Sequence, residues 1–177
     1  MLGHSNGGLI TLRYALRAPK DVRAFVVTSP LCGIAVKVPA WKATAGRLMS
    51  KVWPTLSLPT DLPPEHVSHD AGVVAAYKAD PLVHGVSTAR WFTEVQQACD
   101  DLYERAGNIS QPVLALLAGD DKLVDAAQGQ RVVARITSAA SAHDLFEKRY
   151  HELLNEPEWQ DTLRRIILWM EQRRLEA

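Results

Sequence analysis

Excess charge of either sign is missing from this chain of 177 residues: 20 Lys plus Arg balance 20 Asp plus Glu. The balance removes the electrostatic footprint of a nucleic-acid-binding surface and the self-repulsion of an acidic tail. It also leaves little long-range pull on charged ligands, so uncharged or amphiphilic ones fit better. Cysteine is scarce: Cys32 and Cys99 are the only two. That is no disulfide framework at this length, and both read as free thiols in a reducing, cytoplasmic compartment. No run of about 18 apolar residues occurs, so no membrane-spanning helix is expected. No basic stretch leads into a short apolar segment at the start, so no signal peptide is expected either. A full strand ahead of Gly3 is also lacking. Strands average about 5–6 residues, yet only Met1 and Leu2 precede Gly3. The expectation is that sequence upstream of Met1 is missing.

What remains is ordinary for one globular domain: 47% hydrophobic and 23% charged residues. The first thirty residues read as turn, helix, strand. Asn6 to Arg17 places Leu9, Leu12 and Leu16, with Ile10 and Ala15, on one face at helical spacing. Pro19 stops that helix. Arg23 to Ser29 is a short β-rich run ended by Pro30, the pattern of a buried parallel strand. From Leu31 to Asn108 such runs vanish. Helices are expected at Trp41–Val52, Gly72–Ala79 and Thr88–Ala106, with a proline-rich loop over Ser57–Pro64. Ser87 or Thr88 is placed to cap the last of these helices. Trp91, Phe92, Val95, Cys99 and Leu102 lie on its stripe. The α/β pattern resumes with a strand at Gln111–Ala118, a helix at Asp125–Ile136 and a strand at His143–Arg149. A terminal helix over Glu156–Leu175 should turn Leu163, Ile166, Ile167 and Met170 inward. The organisation expected is therefore an α/β core over 1–30, an all-helical insertion over 31–108 and core again over 109–177.

Gly3-His4-Ser5-Asn6-Gly7 is a G-x-S-x-G turn between a strand and a helix. In such a turn a strained serine exposes its Oγ at a helix N-terminus, where backbone N–H groups can meet a developing oxyanion. The Asn6 N–H is the donor expected here. Side chains at Gly3 and Gly7 would collide with strand and helix, and Gly8 would let the helix approach closely. A serine hydroxyl alone is a poor nucleophile. It needs a base, usually histidine, held by a carboxylate. The chain order for this turn is Ser, then acid, then His. Asp120, Asp121 and Asp125 compete for the acid. Asp120 lies close to the strand end and Asp125 suits a helix cap, which leaves Asp121, with Asp120 as runner-up. His151, beyond the last strand, is the expected base. His4 belongs to the turn itself. His66, His69 and His84 lie in the insertion, and His143 opens a strand. His66 and His69 mimic a metal pair but lack a third ligand. Cys32 reads as a small buried apolar residue.

These blocks resemble the α/β-hydrolase family of monoacylglycerol lipases and lysophospholipases, grouped under a serine aminopeptidase label. The resemblance rests on Gly3 to Gly8, on Ala118-Gly119-Asp120-Asp121-Lys122-Leu123-Val124-Asp125, and on Tyr150-His151-Glu152-Leu153-Leu154-Asn155-Glu156. Ala79-Asp80-Pro81-Leu82 adds to it. It implies an α/β-hydrolase fold, here the C-terminal portion of the parallel sheet with an inserted helical cap over 31–108 that shapes an acyl-chain tunnel. It implies Ser5 as nucleophile, Asp121 as acid, His151 as base and no metal or organic cofactor. Asn6 stands where the family often has methionine, and its backbone N–H would serve equally. The implied substrate is a small acyl ester, with transient membrane or micelle contact through the cap. The alternatives are an aminopeptidase or proline iminopeptidase, with Asp61, Glu65 and Asp70 offered for a free amine, or a non-catalytic fragment. The family carries several strands and a His-Gly loop ahead of the serine turn, and none is here. Losing one oxyanion donor costs about 10²–10³ in kcat, so the chain alone is expected to be inactive or poorly folded.

Overall fold

The computed structural model describes residues 1–35, 40–60 and 62–175. Strand β1 (Leu2–His4) runs straight into helix α1 (Ser5–Ala15), which returns the chain to β2 (Phe25–Thr28). The two strands pair in parallel, from Leu2 opposite Val26 to His4 opposite Thr28. The chain next forms α2 (Ala40–Val52), β3 (Ser57–Pro59), α3 (Ala71–Ala79), β4 (Val86–Thr88) and α4 (Ala89–Arg105). It then re-enters the sheet as β5 (Val113–Ala118), followed by α5 (Ala126–Val133), β6 (Ala142–Phe146) and α6 (Trp159–Leu175). Sheet order is β1-β2-β5-β6, all pairs parallel.

Every residue of β2 and β5 is buried, because helices cover both faces. Strand alternation divides the core in two. Phe25, Val27, Val113, Ala115 and Leu117 face Leu9 and Leu12 of α1 and Leu102 of α4. Val26, Leu114, Leu116 and Ala118 face Leu153 and, from α6, Ile166 and Trp169. The capping chemistry follows the sequence. Thr88 Oγ1 accepts from Trp91 N at 3.1 Å, and Asp125 Oδ1 accepts from Gln128 N at 2.9 Å.

Three expectations need correction. The insertion is not all-helical: β3 and β4 pair antiparallel, Ser57 opposite Thr88. Three-residue strands are too short for alternation to register, and one ends on a proline. Ile10 of α1 is exposed rather than on the buried face. On α6, Leu163, Ile167 and Met170 are exposed, and the buried stripe is Thr162, Ile166 and Trp169. Polar bonds set that rotation. Thr162 Oγ1 donates to Leu153 O at 3.2 Å and accepts from Arg149 Nη1 at 2.7 Å. A reading of apolar spacing gives a threonine no weight.

Candidate active site

The C-terminal ends of the parallel strands collect the residues of interest. Ser5, at the junction of β1 and α1, has φ of 52°, in the left-handed region that non-glycine residues seldom occupy. Its carbonyl accepts from Leu31 N at 2.9 Å. Close approach explains two of the neighbouring glycines. A Cβ on Gly3 would lie 2.3 Å from Thr11 Oγ1 and 2.4 Å from Gly7 O, and one on Gly8 would lie 2.9 Å from Pro30 Cα. The expected collision at Gly7 is absent: nothing lies within 4 Å of a Cβ there. Gly3→Ala should therefore cost about 3 kcal/mol or more through overpacking against backbone. Gly7→Ala should stay within about 1 kcal/mol of the parent, given alanine's helix preference. Urea midpoints of the two variants check this, and equal losses would contradict it.

Asn6 is half-buried in the first turn of α1. The first four N–H groups of a helix have no acceptor within it, so its N–H is of the kind that can meet an anion.

Asp121 follows β5 in a tight turn. Its Oδ1 accepts from Leu123 N at 2.8 Å and Val124 N at 3.0 Å. Its Oδ2 lies 2.7 Å from His151 Nδ1. The Asp121 side chain is 0% exposed and that of His151 5%. A carboxylate only accepts, so His151 Nδ1 carries a proton, and in the neutral ring Nε2 is then the nitrogen with the lone pair. Asp120 pairs with Lys122 at the surface, and Asp125 caps α5.

Several residues around this pair have contacts that the sequence does not reveal. Ser29, the residue after β2, has φ of 40° and donates its hydroxyl to His151 O at 2.7 Å. Glu156, its side chain 1% exposed, accepts from His69 N at 2.8 Å and from Tyr150 N at 3.3 Å. His69 Nδ1 lies 2.7 Å from Glu156 Oε2, and the His69 ring stacks on Tyr150 at 3.7 Å. Ser68 Oγ donates to Asn155 O at 2.8 Å, and Glu152 N donates to Val67 O at 2.9 Å. The segment between β2 and β5 is thereby tied to the turn that bears His151. A cleft of about 570 Å³ opens beside this tie, lined by His69, Lys148, Arg149 and Glu156 among others. It includes none of Ser5, Asp121 and His151.

The remaining candidates have other partners. Glu65 pairs with Lys78, and Asp70 Oδ1 caps α3 by accepting from Gly72 N and Val73 N. Asp61 lies outside the described residues. His66 lies edge-on to Tyr150, and His84 faces the Val86 carbonyl. Exposed His143 sits within β6. Both cysteines are buried. Burial pushes the Cys32 thiol up to about 12 and the Cys99 thiol up to about 11, which removes them as nucleophiles near neutral pH. Cys99 Sγ donates to Leu31 O.

Comparison with known proteins gives the family of the chain. The family described as serine aminopeptidase, S33, matches residues 1–158. A monoacylglycerol lipase of Mycolicibacterium smegmatis is 30% identical over 174 residues, which are 96% of this chain and 61% of that protein. Phospholipase YtpA of Bacillus subtilis is 28% identical, with 93% of this chain and 64% of its own length aligned. The crystal structure of a Paleococcus ferrophilus monoacylglycerol lipase superimposes with a TM-score of 0.86 at 28% identity, covering 94% of this chain and 65% of that one. The chain spans less than two thirds of the length of these relatives. No helix among the described residues is long and apolar enough to cross a membrane. With its parallel sheet, its serine turn and a match over most of its length, the chain belongs to the serine aminopeptidase S33 family and has the α/β-hydrolase fold.

Proposed function

We propose that this chain carries the catalytic machinery of a carboxylic-ester hydrolase acting on monoacylglycerol- or lysophospholipid-type esters. Ser5 Oγ attacks the ester carbonyl. His151 Nε2 takes the serine proton and delivers it to the leaving alcohol, while Asp121 holds the imidazole in that tautomer. The Asn6 N–H stabilises the oxyanion, and water then releases the acyl group through the same base. The observation that carries this reading is the buried 2.7 Å contact between Asp121 and His151, on the sheet edge where Ser5 sits in its left-handed turn. The lipase and phospholipase relatives support the substrate class.

In this reading residues 31–108 form a cap over a core made of 1–30 and 109–177. Leu48, Val52, Trp53 and Leu82 are exposed on the cap, which favours transient contact with a membrane or micelle. A cytoplasmic location goes with the two free thiols. The aminopeptidase alternative needs free carboxylates to bind an amine, and Glu65 and Asp70 already have partners.

The test is labelling of the purified chain with a fluorophosphonate, followed by a panel of acyl esters against aminoacyl amides. Labelling that disappears in Ser5→Ala, with turnover of esters over amides, is the result this reading requires, and it would overturn the expectation that the chain alone is inactive. A folded chain that takes no label favours the non-catalytic reading, and preferred cleavage of amides favours the peptidase.

A further inference from the structure

His4 lies immediately before Ser5 and has contacts that the reaction above leaves unused. Its Nδ1 is 3.1 Å from the Thr28 carbonyl and 3.0 Å from Thr28 Oγ1. Its Nε2 is 3.2 Å from Glu152 Oε1, without the alignment of a hydrogen bond, so that contact is electrostatic. Its ring centroid lies 4.8 Å from that of His151, tilted by 55°. A carbonyl or carboxylate only accepts, whereas a hydroxyl does either. With Glu152 facing it, Nε2 is the nitrogen that keeps its proton. Thr28 then serves Nδ1 in both charge states: its hydroxyl donates to a neutral ring, and its carbonyl accepts from a cationic one. His4 can therefore gain or lose charge without moving.

Glu152 is held on two sides. Its Oε2 accepts from Asn155 Nδ2 at 3.2 Å, and its backbone N–H is bonded to Val67. Burial pushes its carboxyl up, but His4 and then His151 outweigh this and leave it below the usual carboxylate range.

We propose that His4 and Glu152 form a second imidazole–carboxylate pair beside His151, a positioning pair whose net charge sets the pH at which His151 takes up its proton. The kinetic consequence rests on the Ser5–His151–Asp121 reading, but the coupling of charges does not. The charged and titratable groups around His151 are Asp121 from the turn after β5, His4 from β1 and Glu152 from its own turn. Tyr150 precedes it, and beside Tyr150 stand His66 and the His69–Glu156 pair from the far side.

The sign follows from Coulomb attraction. Glu152→Gln keeps the shape and removes one negative charge that favours an imidazolium at His151. Its protonation midpoint should fall by about 0.5–1 pH unit. His4→Gln removes the positive charge that the ring carries whenever it is protonated and should move the midpoint upward. Titration of the chain labelled with ¹⁵N-histidine, with His151 assigned by its loss in His151→Gln, reads both shifts by NMR without turnover. Wherever ester hydrolysis is measurable, the acid limb of kcat/KM should move with the midpoint. A Glu152→Gln midpoint within about 0.2 units of the parent overturns the proposal. So do shifts of the same sign in both variants, which is what lost packing would produce. Failure of Ser5 labelling would sink the hydrolase reading and leave these shifts in place.

Discussion

Asp121→Asn is expected to lower Ser5-dependent ester turnover about 10⁴-fold while leaving the fold intact. The reason lies in how Asp121 is held. Its Oδ1 accepts two backbone N–H groups, from Leu123 and Val124. In an asparagine, only the carbonyl oxygen can keep those bonds. The amide nitrogen must then take the place of Oδ2 and point at His151 Nδ1. An N–H₂ donates, so Nδ1 must accept and the ring proton moves to Nε2. That tautomer cannot take a proton from Ser5. The loss should appear in kcat, with KM for a short p-nitrophenyl ester changed little, because Asp121 is buried behind His151. Fluorophosphonate labelling should slow in parallel, while the urea midpoint moves by less than the activity loss would suggest. Turnover by the Asp121→Asn variant within about tenfold of the parent would mean that another group orients His151.

The turn of Asp121 and the edge of Ser5 share a legible cause. Strands β2 and β5 are continuous apolar runs because both their faces are covered, and such runs are visible without coordinates. Once two parallel strands are placed, whatever follows each of them lies on one edge. Strand β6 pairs parallel with β5, which is why Asp121 and His151, thirty positions apart and each beyond the end of one of these strands, fall within reach of each other. Helix caps are legible for a local reason: Thr88 and Asp125 act on N–H groups three residues ahead. What stays hidden is set by partners far along the chain. Ser29 looks like any strand-ending serine, and its bond to the carbonyl of His151 spans 122 positions. Helix α6 is rotated by a threonine whose partners are Leu153 and Arg149. Gly7 fits the motif, but the steric reason offered for it belongs to Gly3 and Gly8. Asp61, offered for an amine site, lies outside the described residues.

The largest loss of stability outside the hydrophobic core is expected at Glu156. Its carboxylate is buried and serves His69 N, the His69 ring and Tyr150 N together. Glu156→Ala leaves those donors facing a cavity. Removing one partner of a buried charged contact costs about 3–5 kcal/mol, and each stranded donor accounts for about 1–3 of it. Glu156→Gln retains an acceptor oxygen and should lose less. The pH dependence adds a second signature. Burial alone would raise this carboxyl, but the bonds from His69 and Tyr150 outweigh it and hold the folded-state value below the usual range. A depressed carboxyl stabilises the fold above its unfolded value, at about pH 4.3. That contribution is lost as pH falls through the folded value. The parent should therefore weaken on acidification below about pH 4.3 more steeply than Glu156→Gln, which has no proton to take up. Urea unfolding of the parent and both variants, at neutral pH and across the acid range, checks both effects. If Glu156→Ala unfolds within about 1 kcal/mol of the parent, the contact is not a tie. The segment carrying His69 and the turn carrying His151 would then be free to move independently. If the loss is full, the two move as one unit, and whatever displaces His69 is felt at Tyr150 and, one residue on, at His151.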